Sequence, residues 1–138
     1  MRITAFTDGA ARGNPGDAGI GIVLKDDDGT TIQTLKKYIG KTTNNVAEYT
    51  ALVTLLEFLK KNETLRCTEL VVHTDSELMA RQINGMYKVK DAGLKLLYKN
   101  VKLQLHGAAF TFSIQHIPRT RNTEADILAN EAIDSKTT

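Results

Sequence analysis

The spacing of apolar residues changes near residue 46, and that change limits what this chain can become. Before it, short apolar runs are cut by glycine, with seven of the ten glycines in the first forty residues. Such punctuation predicts a strand meander. Residues 3–8 read as a strand that ends in the turn sequence Asp8-Gly9-Ala10-Ala11-Arg12-Gly13-Asn14-Pro15-Gly16. Residues 18–24 and 31–39 read as two more strands, joined by a hairpin at Asp27-Asp28-Gly29. From 46 to 59, Val46, Tyr49, Leu52, Val53, Leu56 and Leu59 are spaced for the buried face of a helix. A β-branched run over 70–75 predicts an interior strand. Helices are expected over 76–84 and 93–105, an alternating strand over 110–117 and a closing helix over 122–133. Early hairpins give antiparallel pairing and later helical crossovers give parallel pairing. The expected fold class is therefore α/β: a mixed sheet, three antiparallel strands and then parallel ones, with helices on its faces. With no repeat, low-complexity tract or linker, 1–138 is expected to be a single domain.

Composition narrows the class further. Charged residues make up 25% and hydrophobic residues 41%, which suits a soluble globular protein rather than a disordered one. No stretch approaches the ~20 apolar residues of a membrane span, and the N-terminus lacks an apolar run of signal-peptide length. Cys67 is the one cysteine, which excludes an intrachain disulfide and a thiolate zinc site and suits the reducing cytoplasm. The net charge of +2 is unevenly spread. Between Met79 and Lys102 lie Arg81, Lys88, Lys90, Lys95, Lys99 and Lys102 against one acid, Asp91, leaving the rest of the chain net negative. This segment is either a solvated helix face or a phosphate-binding surface.

Four acids carry the chemistry. Asp8 and Asp75 each end a predicted strand, where sheets with parallel strands form their sites. Taken singly, either also suits a turn or helix cap. Glu48 shares a helix face with Ala51, Leu52, Leu55 and Leu59, so it points toward the apolar side, where a lone carboxylate is costly. The competing reading is a capping box, with Asn45 as N-cap and Glu48 three residues on. Asp126 sits in the first turn of the last helix, where an acid also favours the helix dipole. If the two helix starts pack over the two strand ends, four carboxylates converge. Such a cluster repels itself and needs cations. All-oxygen ligation selects hard ions such as Mg²⁺ or Mn²⁺, and a pair of these about 4 Å apart is an arrangement for in-line attack at a phosphodiester.

Over essentially its whole length the chain resembles the type 1 ribonucleases H. The resemblance is carried by the first-strand motif running from Thr7 to Gly16, and by Thr42-Thr43-Asn44-Asn45-Val46-Ala47-Glu48. Thr74-Asp75-Ser76 and Arg121-Asn122-Thr123-Glu124-Ala125-Asp126 complete it. It implies a ribonuclease H-like fold with a five-stranded sheet, and Asp8, Glu48, Asp75 and Asp126 as ligands of two Mg²⁺ ions, with Mn²⁺ a substitute. It implies an endonuclease that hydrolyses the RNA strand of RNA–DNA hybrids and leaves 5′-phosphate and 3′-hydroxyl ends. Asn14, Asn44 and Asn45 match positions that contact the minor groove and its 2′-hydroxyls, Thr43 a position in a DNA-phosphate pocket, and Gly9 joins the substrate-contacting set. His116, ten residues before Asp126, matches a histidine that assists proton transfer or product release, with Arg119 as its rival.

The sequence departs from the pattern in three ways. The long, basic, tryptophan-rich insertion of some relatives is replaced by the shorter segment, where Met86, Tyr87, Lys88 and Lys90 are the expected substrate contacts. Glu77 stands where well-known relatives have a glutamine that touches RNA. No separate N-terminal hybrid-binding module is expected. The expected partner is an RNA–DNA hybrid, with duplex RNA a further candidate, and the expected state is a cytoplasmic monomer that binds no membrane. Two rivals stand beside this reading: a catalytically weak or inactive module that binds hybrid or double-stranded RNA, and another nuclease on the same fold, such as a Holliday-junction or transposase-type enzyme.

Overall fold

A computed structural model describes residues 1–136. In chain order the elements are β1 (Arg2–Gly13), β2 (Gly16–Lys25), β3 (Thr31–Thr42), α1 (Asn44–Lys61), β4 (Glu69–Thr74), α2 (Glu77–Ile83), α3 (Ala92–Leu105), β5 (Thr111–His116) and α4 (Thr123–Ser135). Short 3₁₀ turns occupy Glu63–Leu65 and Arg119–Arg121. The strands form one sheet in the order β3-β2-β1-β4-β5. β1, β2 and β3 are antiparallel neighbours, whereas β4 runs parallel to β1 and β5 parallel to β4. The mixed five-stranded α/β sheet expected from the sequence is the one observed.

Glycines set how closely the helices approach the sheet. A Cβ on Gly9 would lie 2.2 Å from the carbonyl carbon of Ala47 in α1. On β2, a Cβ on Gly19 would lie 2.5 Å from the Ala129 carbonyl oxygen, and one on Gly21 2.2 Å from that of Ala125, both in α4. Gly9 pairs with Ile20, which alternates with Gly19 and Gly21. Because side chains alternate across a strand, α1 and α4 therefore cover opposite faces.

The main core lies on the α1 face. Ile3, Ala5, Ile22, Leu24, Leu70, Val72 and Ile114 of the sheet meet Tyr49, Leu52, Leu55 and Leu59 of α1, with Met79, Ile83 and Val101 behind them. Each fully buried side chain of this size contributes about 1.5–3 kcal/mol relative to exposure. The Tyr49 hydroxyl, buried with them, donates to Gln82 Oε1 at 2.7 Å and ties α1 to α2.

Two expectations need correction. β1 does not stop at Asp8: it continues to Gly13, paired with β2 through Gly13–Gly16, so the glycine-rich stretch expected as a turn is mostly hairpin strand. Cross-strand pairing with β2 outweighs the weak strand propensity of those residues. Asp8 nonetheless stands where parallel pairing ends, because the last β1–β4 pair is Thr7–Thr74. Also, α1 begins at Asn44, not 46, and its N-cap is Thr43, whose Oγ1 accepts from the Val46 N–H at 3.2 Å. The capping box built on Asn45 does not form.

Candidate active site

Strand β1 delivers Asp8 one residue past its last parallel pair, and β4 delivers Asp75 one residue past its own. The first turns of α1 bring Glu48 over the same edge, since Gly9 lets that helix settle on β1. One carboxylate oxygen from each of Asp8, Glu48 and Asp75 lies within 4.8 Å of the others. Asp8 and Glu48 are each 4% exposed. The Gly9 N–H donates to Glu48 Oε1 at 2.8 Å, so this glutamate is held by the strand it covers. Asp126, in the first turn of α4, hydrogen-bonds to the side chain of Asp8. Asn130 Nδ2, one turn further, donates to Asp126 Oδ1 at 3.2 Å and Arg12 reaches Asn130 Oδ1 at 3.3 Å. Three of the four predicted acids thus share one compact group, and the fourth adjoins it through Asp8.

The electrostatics follow from this crowding. Burial, then the charge of Asp75, then the hydrogen bond and charge of Asp126 push the Asp8 carboxyl from 3.8 up to about 8, against the pull of Arg119. Burial raises the Glu48 carboxyl well above its ordinary value, with Asp8 and Asp75 adding to it and the Gly9 N–H opposing. Without a cation, Asp8 is thus pushed toward its protonated form at neutral pH. The donor set of the cluster is all oxygen, hard and self-repelling, which fits a hard divalent cation and fits soft metals poorly.

The remaining predicted residues are placed as follows. His116 ends β5 beside Thr74 and is exposed. Arg119 follows on the 3₁₀ turn, close enough for its charge to act on Asp8. Asn14 Oδ1 accepts from the Asn44 N–H at 3.1 Å, and Asn44 Oδ1 from the Ala11 N–H at 3.2 Å, which stitches the β1–β2 hairpin to the start of α1. Thr43 is the cap of that helix and Asn45 is exposed beside it. Glu77 opens α2 and pairs with Arg81 at 3.0 Å, while the Arg81 guanidinium lies over the Tyr87 ring at 5.4 Å. Lys88 and Lys90 are exposed in the loop that leads from α2 to α3, and the Lys88 carbonyl accepts from Gln82 Nε2 at 3.4 Å. A cavity of about 580 Å³ lies at the other end of the sheet, between the ends of α1 and α3, and holds none of the acids. The acid cluster lies at the opposite end, with Asp8 and Glu48 buried and Asp75 partly exposed beside them.

Three residues at this site were not found by reading the sequence. Gly21 faces Asp8 across the hairpin and admits α4. Asn130 lies four residues after Asp126, a helical spacing that would have suggested it. Asn122 packs under the cluster, and no spacing rule points to it.

Comparison with known proteins agrees with this geometry. A family model described as "Reverse transcriptase-like" matches residues 6–132. The bifunctional protein Rv2228c of Mycobacterium tuberculosis is 42% identical over 98% of this chain. LC11-RNase H1, isolated from compost and solved in complex with an RNA/DNA hybrid, superposes with a TM-score of 0.91 at 45% identity, covering 97% of this chain and 98% of that one. RNase H1 of the archaeon Halobacterium salinarum gives 0.90 at 38% identity, over 98% and 99%. This chain spans 36% of the full mycobacterial protein and 65% of the full Halobacterium one.

Proposed function

The chain belongs to the type 1 ribonuclease H family, and from that premise we propose that it hydrolyses the RNA strand of RNA–DNA hybrids, as one domain over 1–138. The observation that carries the reading is the meeting of Asp8, Glu48 and Asp75 from three separate elements, with oxygens within 4.8 Å and Asp126 alongside. Asp8, Glu48, Asp75 and Asp126 would hold two Mg²⁺ ions, or Mn²⁺ in their place, which supply an activated water and charge stabilisation at the leaving oxygen. The carboxylates would fix where those cations sit and so help to orient the scissile phosphate.

Other residues orient the substrate. Asn14, Asn44 and Asn45 meet the 2′-hydroxyls in the minor groove, where an amide both donates and accepts. Thr43 and Gly9 approach the backbone at the start of α1. Tyr87, Lys88 and Lys90 follow the DNA strand, with salt-dependent grip. Arg119 is the better-placed assistant for the departing strand, because its charge already reaches Asp8; His116 borders the same edge. Cleavage leaves 5′-phosphate and 3′-hydroxyl ends. The proposed state is a cytoplasmic monomer. No described helix is long and apolar enough to cross a membrane.

The test is digestion of labelled hybrid, duplex RNA and duplex DNA side by side, with Mg²⁺ and then Mn²⁺. Cutting confined to the RNA of the hybrid, lost in Asp8→Asn and Asp75→Asn, is the expected result. Binding without cutting would return the chain to the non-catalytic alternative, and preference for duplex DNA to a different nuclease.

A further inference from the structure

Asn122 immediately precedes α4, where an asparagine ordinarily turns its side chain to cap the free N–H groups of the helix. It makes no such bond. Its amide turns toward the sheet instead: Nδ2 donates to the Thr7 carbonyl at 2.8 Å and to Asp75 Oδ2 at 3.4 Å. On the main chain, its carbonyl accepts from the Asp126 N–H at 3.1 Å and its N–H donates to the Arg119 carbonyl at 2.9 Å. One residue, 1% exposed, therefore touches the peptide before Asp8, the carboxylate of Asp75 and the backbone of Asp126. Asn122 Oδ1 is buried with no partner. A buried unpaired amide oxygen opposes folding, and such exceptions call for a reason beyond packing.

We infer that Asn122 is the positioning residue of the acid cluster, its amide N–H groups fixing how β1, Asp75 and the start of α4 stand relative to one another. This deepens the nuclease reading and rests on it. The chemistry favours an amide. A lysine or arginine here would pair with Asp75 and compete with a cation for it. An aspartate would set acceptor against acceptor at both the Thr7 carbonyl and Asp75. A neutral amide donates to both and leaves the charge of the cluster unchanged.

Asn122→Ser and Asn122→Ala separate positioning from helix capping. Serine caps helices well, but its hydroxyl is too short to reach both acceptors. Mn²⁺ binding is measured without nucleic acid, from the electron paramagnetic resonance signal of the free ion. Turnover on labelled hybrid and thermal unfolding are measured alongside. The serine variant is expected to unfold cooperatively and to bind Mn²⁺ ~10–100-fold more weakly, the usual effect of removing a partner that orients a ligand. Its kcat should fall comparably while KM stays within about threefold, and added Mn²⁺ should restore part of the rate. A folded serine variant with wild-type Mn²⁺ affinity and kcat overturns the inference and leaves Asn122 as a helix-start residue. A serine variant that does not fold overturns it too, assigning the residue to the fold alone; the alanine variant failing by itself leaves the serine variant to decide. Wild-type protein that binds Mn²⁺ but cuts no hybrid would end the nuclease reading, while the affinity comparison still decides the role of Asn122.

Discussion

Gly9 donates its main-chain N–H to Glu48 Oε1 at 2.8 Å, and the same glycine has no room for a Cβ, which would lie 2.4 Å from the Glu48 nitrogen. The contact that lets α1 rest on β1 is thus also the contact that aims the glutamate. Gly9→Ala is expected to lift the first turn of α1, cost about 1–3 kcal/mol as overpacking does, and lose most hybrid cleavage. Chemical denaturation and a cleavage assay check the two effects together. A variant with unchanged stability and rate would mean that the helix start is free to shift.

The raised carboxyl of Asp8 makes metal-free stability depend on pH. With a folded value of about 8 against 3.8 in the unfolded chain, the native state binds the extra proton between those values. Stability is then highest below about pH 4 on this account and declines as pH rises toward 8. Asp8→Asn should abolish cleavage yet raise metal-free stability at pH 8 by a few kcal/mol, on the order of a 1.4 kcal/mol contribution per pKa unit. Mg²⁺ should stabilise the wild type and have much less effect on the variant. Thermal melts across pH, with and without Mg²⁺ or a chelator, test this; a wild type that gains stability from pH 5 to 8 without metal contradicts it.

Arg119 draws Asp8 back toward its charged form. Arg119→Ala therefore raises the Asp8 carboxyl further, and the acid limb of the pH–rate profile should move to higher pH. His116→Ala is expected to lower kcat without moving that limb. Profiles at fixed Mg²⁺ that shift for the histidine variant instead would reverse the assignment.

Glu77 places a carboxylate two residues after Asp75, answered by the half-buried Arg81. Glu77→Gln removes a repulsion toward phosphates and should lower KM for hybrid at low salt with kcat unchanged. Exposed pairs of this kind contribute less than about 1 kcal/mol, so the melting temperature should hardly move. Binding measured over a salt series distinguishes this from a rise in KM, which would mark Glu77 as a favourable contact.

Much of this was legible from residue patterns. Glu48 on an apolar helix face, and Asp8 and Asp75 at the ends of apolar strands, announce carboxylates kept where they are costly. The length of β1 was hidden because Gly13, Asn14 and Pro15 have turn chemistry, and only pairing with β2 draws most of that stretch into the sheet. The cap was misplaced because Thr43, Asn44 and Asn45 all suit the position, and local preference does not choose among them. Asn122 stayed hidden for a related reason: an asparagine before a helix normally faces that helix, and only tertiary packing shows it turned toward the sheet.

Since Asp8 rides on β1 and Asp126 on α4, the two meet only after every element between them has been made. Until α4 has closed over β2, a folding chain carries Asp8, Glu48 and Asp75 without Asp126 beside them. The full set of four acids is thus a product of contacts distant in sequence, and it exists only once the sheet and α4 have met.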